Sequence, residues 1–354
     1  TGYNFSNTPA DNIVYFGAVR AVVIAADSVS LRVTVPAEAT YRPITVTSHQ
    51  LTAYSGKPFI VTFKSATPAF TDTSFVETTD SSAGNFPLHT AVGDLNNDGK
   101  ADLVVTNTFT NSISILENTG TAGAVSFAPK KDLPVYQNPA RSYIADLDGD
   151  GRPDIVSVTK YSTVFTDSIY IFRNTGTGGA IAFTRMPNLL AEYETVATGV
   201  TVHDFNGDGK PDLILSDEAG ISLEVFQNIS TPDSISFIRL PNLSAGSLPQ
   251  DVFAMDIDGD GRTDLAAVNS GNVYVYKNIS PRSDTIVFAS PIYIDDGFSH
   301  QSIFLGDLDG DGLPEMAVTN RGNNNFSIYP NTSVAGNISF APRISYSLGN
   351  IPYN

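Results

Sequence analysis

The stretch D-L-D-G-D-G-R-P-D, residues 146–154, recurs along this chain in five near-copies. The copies begin at Asp94, Asp146, Asp204, Asp256 and Asp307, so successive copies start 52, 58, 52 and 51 residues apart. A nearly constant period of this size indicates that one supersecondary unit is repeated. The spacing therefore predicts a repeat architecture for most of the chain.

Oxygen-bearing side chains occupy alternate positions of each copy. Positions 1, 3, 5 and 9 are Asp, Asn or Glu, position 6 is always glycine, and position 7 varies. Calcium takes about six to eight oxygen ligands, which a tight acidic loop can point inward, and glycine allows the positive φ that closes such a loop. The variable position 7 fits a ligand supplied by its backbone carbonyl. The pattern predicts about five Ca²⁺ ions, with these ligand residues: Asp94, Asn96, Asp98, Lys100 and Asp102; Asp146, Asp148, Asp150, Arg152 and Asp154; Asp204, Asn206, Asp208, Lys210 and Asp212; Asp256, Asp258, Asp260, Arg262 and Asp264; Asp307, Asp309, Asp311, Leu313 and Glu315.

Two other interpretations of the motif are an EF-hand and a plain hairpin turn. An EF-hand needs an acidic residue at position 12 and a helix on each side. Here the flanks alternate as β-strands do, and position 12 is Val105, Ser157, Leu215, Ala267 or Val318. A plain turn does not explain five sets of closely spaced carboxylates, which repel one another without a cation. Calcium loops therefore remain the favoured interpretation.

The overall charge agrees with bound cations. The formal net charge is −17, and the five loops contain 18 of the 37 acidic residues. Such an acidic surface disfavours nucleic acid and anionic membranes as partners. No apolar run is long enough to span a bilayer, so we expect no membrane insertion. The chain has no cysteine, which excludes disulfides and thiol catalysis.

Each period contains four short runs with β-strand character. In the second period they span residues 142–146, 154–159, 168–173 and 180–185, and the acidic loop joins the first two. The last run recurs as V-S-F-A-P, I-A-F-T-R, I-S-F-I-R, I-V-F-A-S and I-S-F-A-P. Four strands per repeat are typical of a β-propeller blade. The sequence therefore predicts an all-β fold of four-stranded blades.

The D-x-[DN]-x-[DN]-G-x-x-[DE] loop within a four-stranded repeat resembles the FG-GAP/VCBS-type repeats of integrin α-subunit propellers and many secreted bacterial proteins. The resemblance covers residues 75–354 and implies one Ca²⁺ per blade, bound at positions 1, 3, 5 and 9. The Phe-Gly and Gly-Ala-Pro elements that name the family are not clearly present, so the match is closer to the bacterial branch. We expect five blades of a six- or seven-bladed propeller, and a ring closed by five blades is the alternative.

The first 64 residues differ from the repeats. Gly2, Asn4 and Phe5, the N-x-V-x-F-G segment from Asn12, and L-R-V-T-V-P from Leu31 resemble an IPT/TIG immunoglobulin-like domain. The resemblance implies a partial Ig-like β-sandwich over residues 1–64. Residues 65–74 (S-A-T-P-A-F-T-D-T-S) are predicted to be a short linker.

No catalytic centre is evident in the sequence. The four histidines recur at no shared repeat position, and the chain lacks a G-x-S-x-G elbow, a P-loop and an H-E-x-x-H motif. The carboxylate pairs Glu192 with Glu194 and Asp295 with Asp296 lie in polar connections. We therefore expect no catalysis within this chain.

Connections alternate between the two faces of a propeller, so the face opposite the acidic loops consists of two sets of loops. One set precedes the first strand of each blade, and the other follows the second strand. Aromatic, amide and basic side chains there suit recognition of carbohydrate or an extracellular protein, and ordinary solvated loops are the alternative. The candidates for this ligand face are Phe86, His89, Phe109, Tyr136, Arg141, Tyr161, Phe165, Tyr193, Phe298, His300, Asn323 and Asn324.

These features together predict a secreted or cell-surface bacterial protein that acts as a non-catalytic adhesion or binding module. Calcium would have a structural role in it, because an ion that binds only the folded state stabilises that state. The alternative is an accessory or spacer region of a larger secreted polysaccharide-degrading enzyme.

Overall fold

The computed structural model of the protein describes residues 2–16, 19–36, 42–48, 51–59, 82–121, 124–136, 138–159, 169–187, 189, 197–232, 234–281, 285–295 and 299–348. In this part of the chain the regular structure is β-sheet, apart from two short 3₁₀ turns at Pro9–Asp11 and Arg321–Asn323. No helix among these residues is long and apolar enough to cross a membrane.

Twenty-five strands form six antiparallel sheets in this part of the chain. The strands are β1 (Asn12–Phe16), β2 (Val19–Ala26), β3 (Leu31–Thr34), β4 (Arg42–Ser48), β5 (Leu51–Phe59), β6 (Pro87–Gly93), β7 (Asp102–Asn107), β8 (Ser112–Leu116), β9 (Lys131–Pro134), β10 (Pro139–Ala145), β11 (Asp154–Thr159), β12 (Ile169–Asn174), β13 (Phe183–Arg185), β14 (Ala197–His203), β15 (Asp212–Asp217), β16 (Ser222–Asn228), β17 (Phe237–Ser244), β18 (Asp251–Met255), β19 (Asp264–Val268), β20 (Asn272–Tyr276), β21 (Ile292–Asp295), β22 (His300–Gly306), β23 (Glu315–Asn320), β24 (Asn325–Tyr329) and β25 (Ile344–Ser347).

Each acidic repeat folds as a four-stranded meander. The sheets β6–β9, β10–β13, β14–β17, β18–β21 and β22–β25, here called blades 1 to 5, keep their strands in chain order. In every blade the acidic loop connects the first strand to the second; in blade 3, for example, Asp204 follows β14 and Asp212 begins β15. The prediction of an all-β fold with four-stranded blades is confirmed.

The hydrophobic core lies between blades rather than within them. The second strands β11, β15 and β19 are buried along their whole length, because a neighbouring blade covers each of their faces. Between blades 2 and 3, for example, Val156 and Ile171 pack against Leu213 and Phe226. The outermost strands are more exposed, and β17 alternates between half-buried and exposed residues. The stacked, propeller-like arrangement follows from this two-sided burial.

In the part of the chain that the structure describes, the first and the last of the five blades are not paired with each other. The first strands pack in the order β6, β10, β14, β18 and β22, and among the described residues no strand ladder joins blade 5 to blade 1. The residue at position 2 of the acidic loop shows the same break. Leu308 of blade 5 is 57% exposed, whereas its counterparts Leu95, Leu147, Phe205 and Ile257 are at most 3% exposed. No closure of the five blades is thus seen among the described residues, and the six- or seven-bladed ring stays a prediction.

The N-terminal segment forms one five-stranded sheet with the order β3-β2-β1-β4-β5. Val14, Phe16 and Ala21 are at the centre of its apolar side. The sheet meets the acidic loops of blades 1 and 2, since the Tyr15 hydroxyl lies 2.8 Å from Asn97 Oδ1 and 3.4 Å from the carbonyl oxygen of Gly151, both of which can accept its hydrogen bond. The Ig-like sandwich and its boundary at residue 64 stay predictions, and the linker at residues 65–74 lies outside the described residues.

Candidate metal sites and the opposite face

The carboxylate at position 1 organises the turn of each acidic loop. In blade 2, Asp146 Oδ1 accepts the backbone N–H groups of Gly149 at 2.9 Å and Asp150 at 3.1 Å, and its Oδ2 accepts that of Gly151 at 2.9 Å. Gly151 has φ +83°, a conformation that favours glycine. The same bond from position 6 to position 1 occurs in the other four loops. Positions 1 and 6 therefore set the loop geometry in every blade.

Positions 3 and 5 each use one oxygen to hold the loop backbone. Asp148 Oδ1 accepts the N–H of Asp150 at 3.2 Å, and Asp150 Oδ1 accepts the N–H of Arg152 at 2.9 Å. The asparagines at position 3 do the same, as Asn206 Oδ1 does for the N–H of Asp208. The second oxygen of each aspartate at these positions is not used by the backbone turn, which leaves it to a cation. An asparagine at position 3 has a single oxygen, whose other lone pair would have to serve.

Position 9 attaches the loop to the body of its blade. In blade 3, Asp212 Oδ2 accepts the N–H of Phe205 at 2.9 Å and its Oδ1 accepts the N–H of Asn228 at 2.8 Å. Asp212 has no exposed surface. Glu315 makes the equivalent contacts in blade 5 with one more methylene. Both oxygens at position 9 already have backbone partners, so this residue supports the loop in addition to any role as a ligand.

The structure brings predicted ligands together in three loops as carboxylate clusters, whose ligand atoms lie within 4.8 Å of one another. The clusters are Asp146, Asp148 and Asp154; Asp256, Asp258 and Asp260; and Asp307, Asp309 and Asp311. In blades 1 and 3 an amide at position 3 takes the place of one carboxylate. Carboxylate, amide and carbonyl oxygens are the donors that calcium prefers. The residues present therefore fit a hard divalent cation.

Burial and like charges disfavour ionisation in these loops without a cation. Burial, and after it the like charges of Asp150 and Asp148, raise the pKa of Asp146 to about 7. Burial likewise raises the pKa of Asp264 to about 7, and those of Asp102 and Asp204 to about 6. A bound divalent cation would offset both effects, because opposite charge favours the ionised form.

In blades 2 to 5, an asparagine at or just beyond the end of the third strand links the blade to the preceding one. In blade 3, Asn228 Nδ2 donates to the carbonyl of Pro211 at 2.8 Å and to that of Leu147 in blade 2 at 2.9 Å. Because the backbone N–H of Asn228 also binds Asp212, adjacent acidic loops are connected. Equivalent cross-blade bonds are made by Asn174, Asn278 and Asn331.

These asparagines are not among the residues predicted to be functional. The signal is a recurring N-[TI]-[GS] motif at residues 118–120, 174–176, 228–230, 278–280 and 331–333. The third residue donates its backbone N–H to the asparagine Oδ1, for example Ser230 to Asn228 at 2.8 Å. Three of these motifs also match the glycosylation acceptor pattern N-x-[ST], which obscures their structural role.

Two residues of the predicted ligand face have structural partners instead. Arg141 forms a two-pronged ion pair with Asp251 of blade 4, with nitrogen–oxygen distances of 3.0 and 3.1 Å. Ser302 of blade 5 donates to the same carboxylate at 2.7 Å. His300 is only 2% exposed, and its Nδ1 lies 2.8 Å from Asn320 Oδ1. The position of His300 does not fit a role on an exposed ligand face, and Arg141 is held in the centre of the fold.

Among the described residues, the exposed aromatic side chains of the predicted ligand face lie on blade 1 and the loop that follows it, and Asn323 of blade 5 is exposed as well. The rings of Phe86 and Phe109 stack with centroids 4.5 Å apart, and these side chains are 53% and 64% exposed. Phe86 has φ +57°, which is uncommon for an aromatic residue. Tyr136, on the adjoining loop, is also exposed. The predicted ligand-face residues Tyr161, Phe165, Tyr193 and Phe298 lie outside the described residues.

Comparison with family models identifies two stretches of the chain. A model described as "FG-GAP-like repeat" matches residues 94–157 and 256–318. The chain contains FG-GAP-like repeats. Each match begins at position 1 of an acidic loop, in blade 1 and blade 4 respectively. No curated protein matches the chain.

Solved structures resemble the chain at low sequence identity. A putative 6-phosphogluconolactonase from Bacteroides fragilis matches with a TM-score of 0.55 and 13% identity, over 97% of each chain. A functionally unknown protein from Desulfotomaculum acetoxidans matches with a TM-score of 0.52 and 14% identity, over 87% of this chain and 78% of that one. An Agrocybe aegerita lectin that recognises non-reducing terminal N-acetylglucosamine matches with a TM-score of 0.50 and 17% identity, over 96% of this chain and 90% of that one. At these identities the similarity shows the fold alone.

Proposed function

We propose that this chain is a non-catalytic binding propeller of a secreted or cell-surface protein, stabilised by Ca²⁺ and recognising carbohydrate. The exposed stack of Phe86 and Phe109 is the observation that supports recognition of a ligand. Exposed apolar patches on a rigid fold mark binding sites, and function concentrates on loops held by such a scaffold. The acidic loops lie at the other ends of the same strands, so metal binding and recognition use opposite faces.

Carbohydrate is favoured because flat aromatic surface lies beside amide groups. The N–H of Phe109 donates to the carbonyl of Asn85, and Asn111 Oδ1 accepts the N–H of Asn138 at 2.9 Å. These hydrogen bonds join the loop before β6, the loop after β7 and the loop after β9. Three loops that brace one another hold the aromatic rings in a fixed position. A preorganised surface of this kind loses little conformational entropy on binding.

Calcium would supply structural cross-linking at the five acidic loops, with no role in a reaction. The chain's own part is to present one oxygen each from positions 3 and 5, a carbonyl from position 7, the half-buried or buried carboxylate of position 1 and the buried carboxylate of position 9. The like charges gathered there explain why a cation is needed. Millimolar extracellular calcium suits the weaker class of such sites, which supports the proposed location.

The test is binding of the calcium-loaded protein to an array of glycans, with extracellular matrix proteins on the same array. Phe86→Asn removes the ring but keeps a residue that tolerates positive φ, and Phe109→Ser removes the stacking partner. Tyr3→Ser, which removes an exposed aromatic side chain in the N-terminal segment, is the matched control. We expect saturable glycan binding that both phenylalanine variants abolish and the control retains.

Other results would point elsewhere. Binding only to a protein, with the same sensitivity to Phe86→Asn, would replace the carbohydrate with a protein ligand. A blank array with protein that is folded by circular dichroism would favour the spacer or accessory role. Loss of binding in EGTA has to be compared with the circular dichroism spectrum, since unfolding would produce the same loss.

A further inference from the structure

Among the described residues, two acidic loops are contacted by a basic side chain located at the end of the third strand of their own blade or just beyond it. In blade 2, Arg173 Nε lies 2.6 Å from Asp148 Oδ2, and another guanidinium nitrogen lies 3.0 Å from Asp150 Oδ2. Arg152, at position 7, also contacts Asp150 Oδ2. The Oδ1 atoms of both aspartates accept loop N–H groups, so neither side chain has an oxygen without a partner.

The loop of blade 4 has the same arrangement with a different cation. Lys277 Nζ contacts Asp258 Oδ2 and lies 2.6 Å from Asp260 Oδ2. Arg173 and Lys277 occupy equivalent places, because each immediately precedes the asparagine that links its blade to the preceding one. Two unrelated side chains therefore deliver a positive charge to the same two loop positions.

The cation occurs together with a fourth carboxylate in the loop. Blades 2 and 4 have Asp at position 3, whereas blades 1 and 3 have Asn96 and Asn206 there, with Glu117 and Gln227 in the place of the cation. Blade 5 combines Asp309 with Pro330 at that place. An additional carboxylate raises the repulsion inside a loop, and a nearby cation offsets that repulsion. Blades 2 and 4 show this balance, whereas blade 5 has the fourth carboxylate without a cation at that place.

We propose that Arg173 and Lys277 are internal counter-ions that make blades 2 and 4 weaker calcium sites than blades 1, 3 and 5. This inference rests on the proposed calcium-binding function. Each cation engages the Oδ2 atoms of positions 3 and 5, which the loop backbone leaves to a metal ion. Calcium entering blade 2 or 4 must displace this side chain or accept its repulsion at a distance of a few ångströms. A unit charge this close, in a partly buried site, can change affinity by about tenfold or more.

The other three loops have less competition from the chain. In blade 1, Lys100 Nζ lies 4.0 Å from Asp98 Oδ2 and is itself exposed. In blades 3 and 5, Gln227 and Pro330 occupy the place of Arg173 and Lys277, so no positive charge reaches the loop from that position. Calcium binding is therefore expected in two steps, with three ions bound before five.

The test counts bound ions by native mass spectrometry while the free calcium concentration is raised. The wild-type protein is compared with the double variant Arg173→Gln/Lys277→Gln and with Arg32→Gln, which removes an exposed charge from β3. We expect a plateau at three ions for the wild type and for Arg32→Gln. The double variant should lose the plateau, since its last two sites tighten by about tenfold. Gln227→Lys, which brings a cation to blade 3, should move the plateau to two ions.

A stability measurement tests the counter-ion role separately. In EGTA the double variant should unfold at a lower temperature than Arg32→Gln, because its loops then lack both metal and internal cation. A single binding step to five ions in the wild type, or a plateau unchanged in the double variant, would overturn the inference while leaving calcium binding in place. Failure of every variant to bind calcium would overturn the proposed metal function and this inference together.

Discussion

Replacing Asn228 with alanine should be among the most destabilising single changes in this protein. The side chain is fully buried; it donates to the carbonyls of Leu147 and Pro211 and accepts the N–H of Ser230, all within 2.8–2.9 Å. Asn228→Ala leaves these three backbone groups without their partner. At about 1–3 kcal/mol for each of the three orphaned buried groups, the free energy of unfolding should fall by roughly 3–9 kcal/mol, less any gain from water entering.

Asn118 provides a matched control, because it has the same place in blade 1. Its Nδ2 donates to the carbonyl of Ala101 in its own blade, and its Oδ1 accepts the N–H of Gly120, but among the described residues it has no partner in another blade. Asn118→Ala should therefore cost roughly 2 kcal/mol less than Asn228→Ala. Urea denaturation at fixed free calcium measures both values. Equal losses would show that the cross-blade bond contributes nothing measurable.

Three further predictions concern the acidic loops and the centre of the fold. Asp208→Asn keeps the acceptor for the N–H of Lys210 but removes a negative charge from the loop. It should therefore reduce the calcium-dependent gain in Tm without lowering the Tm in EGTA. A lower Tm in EGTA would contradict the metal role. The folded-state pKa values of Asp102, Asp204, Asp146 and Asp264 are about 6 to 7, above the usual value of about 3.9 for Asp. Between about pH 4 and pH 7 the metal-free folded state thus binds more protons than the unfolded state, so the contribution of these groups to the free energy of unfolding falls as the pH rises. The calcium-induced gain in Tm should grow over the same range. A gain that stays constant with pH would contradict the raised pKa values. Gly199→Ala places a Cβ 2.8 Å from Asp251 Oδ1. The free energy of unfolding, measured by thermal denaturation, should therefore fall by about 1–3 kcal/mol. An unchanged free energy would mean that β14 and β18 can move apart without cost.

The sequence was sufficient to predict the blades because their signals are local and repeated. The loop motif locates each hairpin, and the apolar alternation around it locates the strands. The structure confirms the four-stranded meander that these patterns indicate. The exposed Phe86 and Phe109 were also foreseeable, since loops before the first strand and after the second must lie on the face opposite the acidic hairpins.

Contacts between distant blades could not be predicted in the same way. Arg141 and Asp251 are 110 residues apart, and their pairing depends on how the first strands converge at the centre. Gly199 lies in the blade between theirs, and its lack of a side chain leaves room for Asp251. No local sequence pattern connects this glycine to the ion pair. The contacts of Arg173 and Lys277 with the acidic loops could not be predicted either. A single basic residue at the end of a strand gives no indication that its side chain faces an acidic loop.

The acidic loops are mechanically connected, because the bonds that hold one loop also hold the next. Asp212 accepts the N–H of Asn228, whose side chain donates to Leu147, and the N–H of Leu147 donates to Asp154 in the preceding loop. An ion that immobilises one loop therefore restrains the interface on either side of it. Calcium should stabilise interfaces between blades more than single hairpins. Accordingly, Asn228→Ala should reduce the calcium-induced gain in Tm more than Asn118→Ala does, and equal gains in the two variants would show that each loop binds its ion independently of its neighbours.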